Sequence, residues 1–248
     1  MKSAAEVLTP LYTRESGLSD RVEYRVIETP EDKDSLYAMR YRAYLHAGLI
    51  LPSELRRVSD HYDDAPNVWT FGIYVDGELC SSVRIHVLTS DWPMSYAAEL
   101  FGDILHPRLD RGEVIVDPAR FVADPEKHQR FPELPYLTVR LPFMACEYFN
   151  ADTGIALVRD EHRAFYRRVF LQKTIAEPRS FPNVLRKVAL MACDFGTVRE
   201  KVLARFPIMR STAFERRMLF ERRNERQPMP KVRISEFERT ATVTPQSW

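Results

Sequence analysis

Residues 68–88 read VWTFGIYVDGELCSSVRIHVL, and this stretch decides the fold. Two runs rich in β-branched and aromatic residues, Val68–Val75 and Leu79–Leu88, flank the pair Asp76-Gly77. An Asp-Gly pair tolerates positive φ at both positions, as the tightest hairpin turn requires, so the two runs are predicted to pair antiparallel. Upstream, Val22–Ile27 alternates apolar and polar residues and reads as a strand. Thr29-Pro30-Glu31-Asp32 is a helix start, a cap followed by proline and acids. Leu36, Met39, Arg40, Ala43 and Tyr44 continue it at helical spacing.

Downstream of the hairpin, residues 89–112 read as loops with one short helix. Glu113–Phe121 is predicted to be the next strand of the same sheet, with a bulge or local break at Pro118, which cannot donate to a ladder. Glu133–Asn150 reads as a helix kinked near Pro142, Gly154–Val158 as a short strand, and His162–Phe170 as an amphipathic helix. Phe170–Ala176 and Lys187–Asp194 read as the last strands, and Thr197–Phe206 as a helix. Arg210–Arg226 is helical in pattern and basic, and Pro228 and Pro230 end it. The order predicts an α/β fold, a mixed central sheet flanked by helices. The domain reading is an arm over 1–20, one domain over 21–207, and a helical, basic extension over 208–248.

Composition narrows the class. Lys plus Arg number 36 and Asp plus Glu 35, so no global charge draws the chain to nucleic acid or to an anionic membrane. No run reaches the ~18 apolar residues of a membrane helix. Cys80, Cys146 and Cys193 stand far apart in apolar runs without metal spacing, and read as buried reduced thiols. An odd cysteine count and no apolar leader over Met1–Asp20 point to the cytoplasm. The sequence holds no G-x-S-x-G, no P-loop, no G-x-G-x-x-G and no HExxH. Hydrolases, NTPases, dinucleotide enzymes and zinc peptidases are thereby disfavoured.

What remains is a set of charged residues at the edges of elements. Arg40 lies four residues before Tyr44, and Asp60 and Asp63 flank His61-Tyr62. Arg84 interrupts an apolar strand, and Asp117 and Arg120 share the next one in VDPARF, residues 116–121. An arginine inside an apolar strand is costly unless paired, and Asp60, Asp63 and Asp117 are the available counter-ions. By itself the constellation fits a structural ion-pair network as well as a catalytic one. His61 reads as a surface residue, Phe165, Tyr166 and Phe170 as core packing, and the arginines and glutamates of 215–226 as a solvated helix face.

In order and spacing, these residues resemble the acyl-homoserine-lactone synthases and, more closely, the related N-acyl amino acid synthases of the GNAT superfamily. The resemblance covers residues 24–125, and the strand and helix of Gly154–Phe170 resemble the second half of that fold. It implies transfer of a long acyl chain from the phosphopantetheine thioester of acyl carrier protein to the amine of an amino acid or similar small acceptor, with no tightly bound cofactor. Carried over by position, Asp117, Arg120 and Arg84 would be catalytic, and Arg40, Tyr44, Asp60, Asp63 and Phe121 would bind substrate. Asp117 replaces the family's glutamate, and Pro118-Ala119 replaces its small polar residue before the arginine. The shorter carboxylate favours a water relay. Phe101–Gly112 shows no signature for a methyl-donor cofactor, which argues against lactone synthesis. Coenzyme-A enzymes of this superfamily hold pyrophosphate on a glycine loop after this strand; residues 122–132, VADPEKHQRFP, contain no glycine. A coenzyme-A-dependent GNAT and a catalytically silent GNAT-like ligand-binding protein are the alternatives.

Overall fold

The computed structural model describes residues 21–180 and 187–222, together with the backbone of 232–233. One sheet dominates it. In chain order its strands are β1 (Val22–Val26), β2 (Val68–Val75), β3 (Glu78–Leu88), β4 (Ile115–Ala123), β5 (Thr153–Val158), β6 (Lys173–Ser180), β7 (Lys187–Asp194) and β8 (Val232–Arg233). Their spatial order is β6-β7-β5-β4-β3-β2-β1-β8. The helices are α1 (Pro30–His46), α2 (Tyr96–Leu100), α3 (Gly102–Leu109), α4 (Pro125–Arg130), α5 (Leu134–Tyr148), α6 (Arg163–Phe170), α7 (Phe195–Arg205) and α8 (Ala213–Phe220).

The hairpin forms as its sequence dictates. Val75 pairs with Glu78, and Asp76 and Gly77 take φ of 53° and 81°. A type I′ turn needs that left-handed pair, and its twist matches that of the flanking strands. Thr29 caps α1, its hydroxyl accepting from the Asp32 amide at 3.1 Å. The 89–112 segment holds two helices rather than one, because Ser95 caps α2 by accepting from the Ala98 amide at 3.2 Å. The strand expected from Phe170 starts at Lys173, since α6 runs to Phe170 and stops on Leu171 at φ 55°.

One junction sets the geometry of everything that follows. β4 and β5 run parallel and pair only at Ile115↔Thr153 and Val116↔Gly154. Beyond Val116 the strands part, so the outer half of β4 pairs with β3 alone. Pro118 sits there in regular register opposite Ile85, at an edge-like position where a missing N–H is tolerated. The expected irregularity comes two residues later. Arg84 pairs with Ala119 and Ser82 with Val122, which leaves Arg120 and Phe121 together opposite Val83. Arg120 takes φ 52°, a conformation that costs a non-glycine residue on the order of 1–2 kcal/mol.

Side-chain alternation sorts the sheet into two faces. Val83, Ile85 and Val116 join α5, α7 and α8 in the main core. On the other face, α1 packs over Ile27, Tyr74 and Val122, while α2 and α3 pack over Leu88 and Ile115. α5 continues through Pro142. It carries Arg140, fully buried, whose guanidinium meets Glu215 of α8 in a two-pronged ion pair at 2.6 and 2.9 Å and donates to the carbonyls of Ile208 and Arg210. Glu215 therefore does not belong to the solvated face expected for it. Arg223, Glu225 and Arg226 lie outside the described residues.

Candidate active site

Six of the residues singled out from sequence converge on the α1–α2 face of the sheet. α1 delivers Arg40 and Tyr44, the turn after residue 59 delivers Asp60 and Asp63, and β3 delivers Arg84. The bulge delivers Arg120. Strict alternation would place Asp117 and Ala119 on this face and turn Arg120 to the other. The left-handed step at Arg120 brings its guanidinium back and sends Phe121 through to the opposite face. Phe121, expected among the substrate-binding residues, thus lines an apolar pocket on that opposite face.

The contacts are dense. Arg40 donates to Asp63 at 2.7 Å. Arg84 Nη1 is shared between Asp60 at 2.6 Å and Asp63 at 3.0 Å. Arg120 binds Asp60 through both Nε and Nη2, the Nε bond being 3.0 Å, and donates to the Tyr44 hydroxyl at 3.3 Å. The Asp63 carboxylate also takes the Asp60 amide at 2.9 Å, and Asp60 takes the Tyr62 amide at 2.9 Å, which rigidifies the turn. Burial pushes the Asp60 pKa up, but Arg84 and Arg120 outweigh it and hold the carboxyl well below the usual range. Even so, Nε and Nη2 of both Arg40 and Arg84 are buried with no hydrogen-bond partner.

Asp117 stands apart from this mesh. It is 1% exposed, faces His86 across the β3–β4 ladder, and makes no ion pair among the described residues. Its Oδ1 has no hydrogen-bond partner. Burial raises its pKa to about 6, with Ser95 and Arg84 pulling it partly back. The neighbouring His86 stays neutral, because burial and the Arg84 charge push it down to about 3. A carboxylate at about 6 beside an imidazole at about 3 inverts the usual order of basicity. Of the two, the carboxylate is the stronger proton acceptor.

Sequence reading missed the aromatic and acidic groups that wall this face. Tyr96 of α2 lies under the Arg120 guanidinium at 5.6 Å, Tyr62 packs edge-on to His86 at 5.4 Å, and the Tyr62 hydroxyl bonds Glu99. The capping serine before Tyr96 was the one signal that could have revealed α2. His61 is exposed, as expected.

The other face of the splay holds the pocket. Its walls come from Val116, Pro118 and Phe121 on β4, from Val139, Phe143 and Cys146 on α5, and from Gly154, Tyr166, Phe170 and Phe195 beyond. About 520 Å³ lies free of atoms within it, the open mouth included. Tyr166 and Phe170, expected as core packing, both contribute to its lining. Cys80, Cys146 and Cys193 are free, Cys193 being only half-buried. Trp69 is structural, donating to the Phe220 carbonyl at 3.1 Å, and Trp92 is exposed. No helix among the described residues is long and apolar enough to cross a membrane.

Comparison with known proteins gives a consistent picture. The family model for the N-acyl amino acid synthase FeeM matches residues 35–194, more than half of the chain. Among solved structures, FeeM, an N-acyl amino acid synthase from uncultured soil microbes, superposes with a TM-score of 0.62 at 15% identity, over 75% of this chain and 98% of that one. TofI, solved with an inhibitor and MTA, gives 0.54 at 20% identity over 77% and 100%. BjaI, a CoA-dependent acyl-homoserine lactone synthase solved with MTA, gives 0.52 at 14% identity over 73% and 89%. The fold is thus the acyl-CoA N-acyltransferase type expected from sequence. No curated protein sequence matches the chain.

Proposed function

We propose that this chain, which belongs to the N-acyl amino acid synthase family and is an N-acyltransferase, moves a long fatty acyl group from acyl carrier protein to the amine of an amino acid or similar small acceptor. One observation carries the reading. A buried acid–arginine site and an apolar pocket lie on opposite faces of β4, the pocket beside the place where β4 and β5 part. A reaction between a polar acceptor and a long acyl chain needs two such compartments joined at the reacting carbon.

In this reading the acceptor sits on the Asp117 face. Its carboxylate takes the N–H groups that Arg40 and Arg84 leave without partners. Asp117, directly or through one water, accepts a proton from the ammonium. The freed amine attacks the thioester carbonyl, the tetrahedral oxyanion collapses, and the C–S bond breaks. The departing thiolate takes the proton that Asp117 holds, and Asp117 then takes the second proton from the nitrogen of the new amide and releases it to solvent, so ammonium and thioester give amide, thiol and one proton. Beyond Val116, β4 has no strand partner on its outer side; Pro118 offers no N–H there, so the backbone of the Arg120 bulge is the place on β4 for an amide that holds the oxyanion. Phe121 and the pocket behind it hold the acyl chain.

For the donor, the segment after β4 favours a carrier protein. Asp124 caps α4, and its carboxylate accepts from the Glu126 and Lys127 amides at 3.2 and 3.4 Å. Those amides stand where a nucleotide pyrophosphate would be held, and the ligand would meet a fixed negative charge there. The competing reading, a coenzyme-A donor, draws on BjaI, which is CoA-dependent.

The test is to incubate purified protein with dodecanoyl-acyl carrier protein or dodecanoyl-coenzyme A and a panel of amino acids, with mass spectrometry of the products. Acyl amides formed only from the carrier protein support the proposal. Equal or better turnover of the coenzyme-A ester replaces the donor assignment. Amides from neither donor with any acceptor refute the reaction.

A further inference from the structure

The pocket contains one polar side chain with a hydrogen-bonding atom to spare. Gln172 follows the left-handed Leu171 that ends α6, and it is 4% exposed. Its Nε2 donates to the Gly154 carbonyl at 3.2 Å. Its Oε1 is buried without a partner, while the side chain lines a cavity otherwise walled by hydrocarbon, the thiols of Cys146 and Cys193, and Tyr166. The orientation of the amide is fixed: a flipped Gln172 would set its oxygen against the Gly154 carbonyl, which also receives the Cys193 thiol at 3.6 Å. The acceptor oxygen is therefore turned away from the Gly154 carbonyl, in a side chain that lines the pocket.

A buried carbonyl oxygen left unpaired costs on the order of 1–3 kcal/mol, so a side chain of this kind persists in an apolar wall when something supplies a proton to it. The walls that carry donors, Tyr166, Cys146 and Cys193, leave Gln172 Oε1 without a partner, and Val116, Pro118, Phe143, Phe170 and Phe195 carry none. A saturated chain would cover Oε1 without satisfying it. A hydroxyl on the chain would satisfy it and would displace any water resting there.

We propose that Gln172 is a specificity-determining residue and that the acyl group this pocket takes is hydroxylated, with the chain hydroxyl donating to Gln172 Oε1. The proposal rests on the pocket being the acyl site. By the same chemistry, a 3-oxo chain, which brings only an acceptor, is disfavoured.

The test is calorimetric binding of pantetheine thioesters to the whole chain and to Gln172→Met, which keeps the volume and removes the acceptor. The probes are dodecanoyl-, 3-hydroxydodecanoyl- and 12-hydroxydodecanoyl-pantetheine, the two isomers covering both ends of the pocket. The expected result is that one hydroxylated thioester binds the wild type about three- to tenfold more tightly than the plain one, and that Gln172→Met reduces this ratio to near unity while still binding the plain chain. Equal wild-type affinities for all three would overturn the proposal and mean that water satisfies Oε1. A preference that survives in Gln172→Met would overturn it too, by placing recognition elsewhere. If none of the three binds the wild type, the acyl-pocket reading falls first and this proposal with it, so the two failures are distinguishable.

Discussion

Replacing Asp117 by Asn removes the charge while keeping the shape, and it should move activity and stability in opposite directions. Wild-type Asp117 has its pKa raised from 3.8 to about 6 by burial. The folded protein therefore disfavours the ionised form, and the cost appears as pH rises above the unfolded value. Linkage between 3.8 and about 6 gives a cost of about 3 kcal/mol at pH 7 and about half that at pH 5, vanishing below about pH 3.8. Asn carries no such cost. Asp117→Asn should thus be stabilised at pH 7 by up to about 3 kcal/mol, or roughly 6–12 °C in Tm, with a smaller gain at pH 5. Its turnover should fall by about 10²–10⁴, the usual contribution of a general base. The wild-type kcat/KM should rise with pH through an apparent pKa near 6, and the residual rate of the variant should not. The assays are urea unfolding at pH 5 and pH 7 and a pH–rate profile on the thioester. A variant that is no more stable at pH 7 would show the carboxylate to be well solvated or paired. A variant with undiminished turnover would remove Asp117 from the chemistry.

Other consequences are simpler to state. Glu215→Ala should cost about 3–5 kcal/mol in urea unfolding because it strands the buried Arg140 cation, whereas the double change Arg140→Met with Glu215→Leu should recover most of that loss. Gly154→Ile should shorten the longest acyl chain found in the product: a Cβ at this position already touches the Cys146 and Cys193 sulfurs at 3.6 Å, and the rest of the side chain must enter the pocket. Because the Asp60 carboxyl is held low in the fold, its stabilisation is present above about pH 3.8 and is lost as pH falls toward its folded value. Asp60→Asn should therefore be less stable than wild type at pH 7, with the gap closing in acid titrations followed by circular dichroism.

Local chemistry made much of this legible in advance. The Asp76-Gly77 turn fixed a hairpin, and the hairpin fixed the face on which Arg84 would appear. Arg40, Asp60, Asp63 and Arg120 were recognisable because a charge in an apolar setting demands a partner. What stayed hidden was set by tertiary packing. Pro118 drew attention to the wrong residue of β4, since a proline fits an edge without distortion, while the true bulge at Arg120 has no sequence mark. That bulge also reversed the facing of Phe121. The pocket was invisible because its walls come from six separated segments, each of which reads as ordinary core. Glu215 read as a surface acid because its partner, Arg140, lies 75 positions away in sequence.

On the proposed function, the parting of β4 and β5 would make the sheet a septum with a slot beside Val116. A product assembled across it would then be anchored by its polar head on one side and its tail on the other, unable to drift off sideways. It must be drawn out lengthwise. Departure should then slow as the tail grows, so that steady-state throughput falls with chain length even where the bond-forming step does not. For such an enzyme, the surroundings that receive a greasy amphiphile become part of its kinetics. The same separation lets selection reshape the head compartment and the tail compartment one at a time.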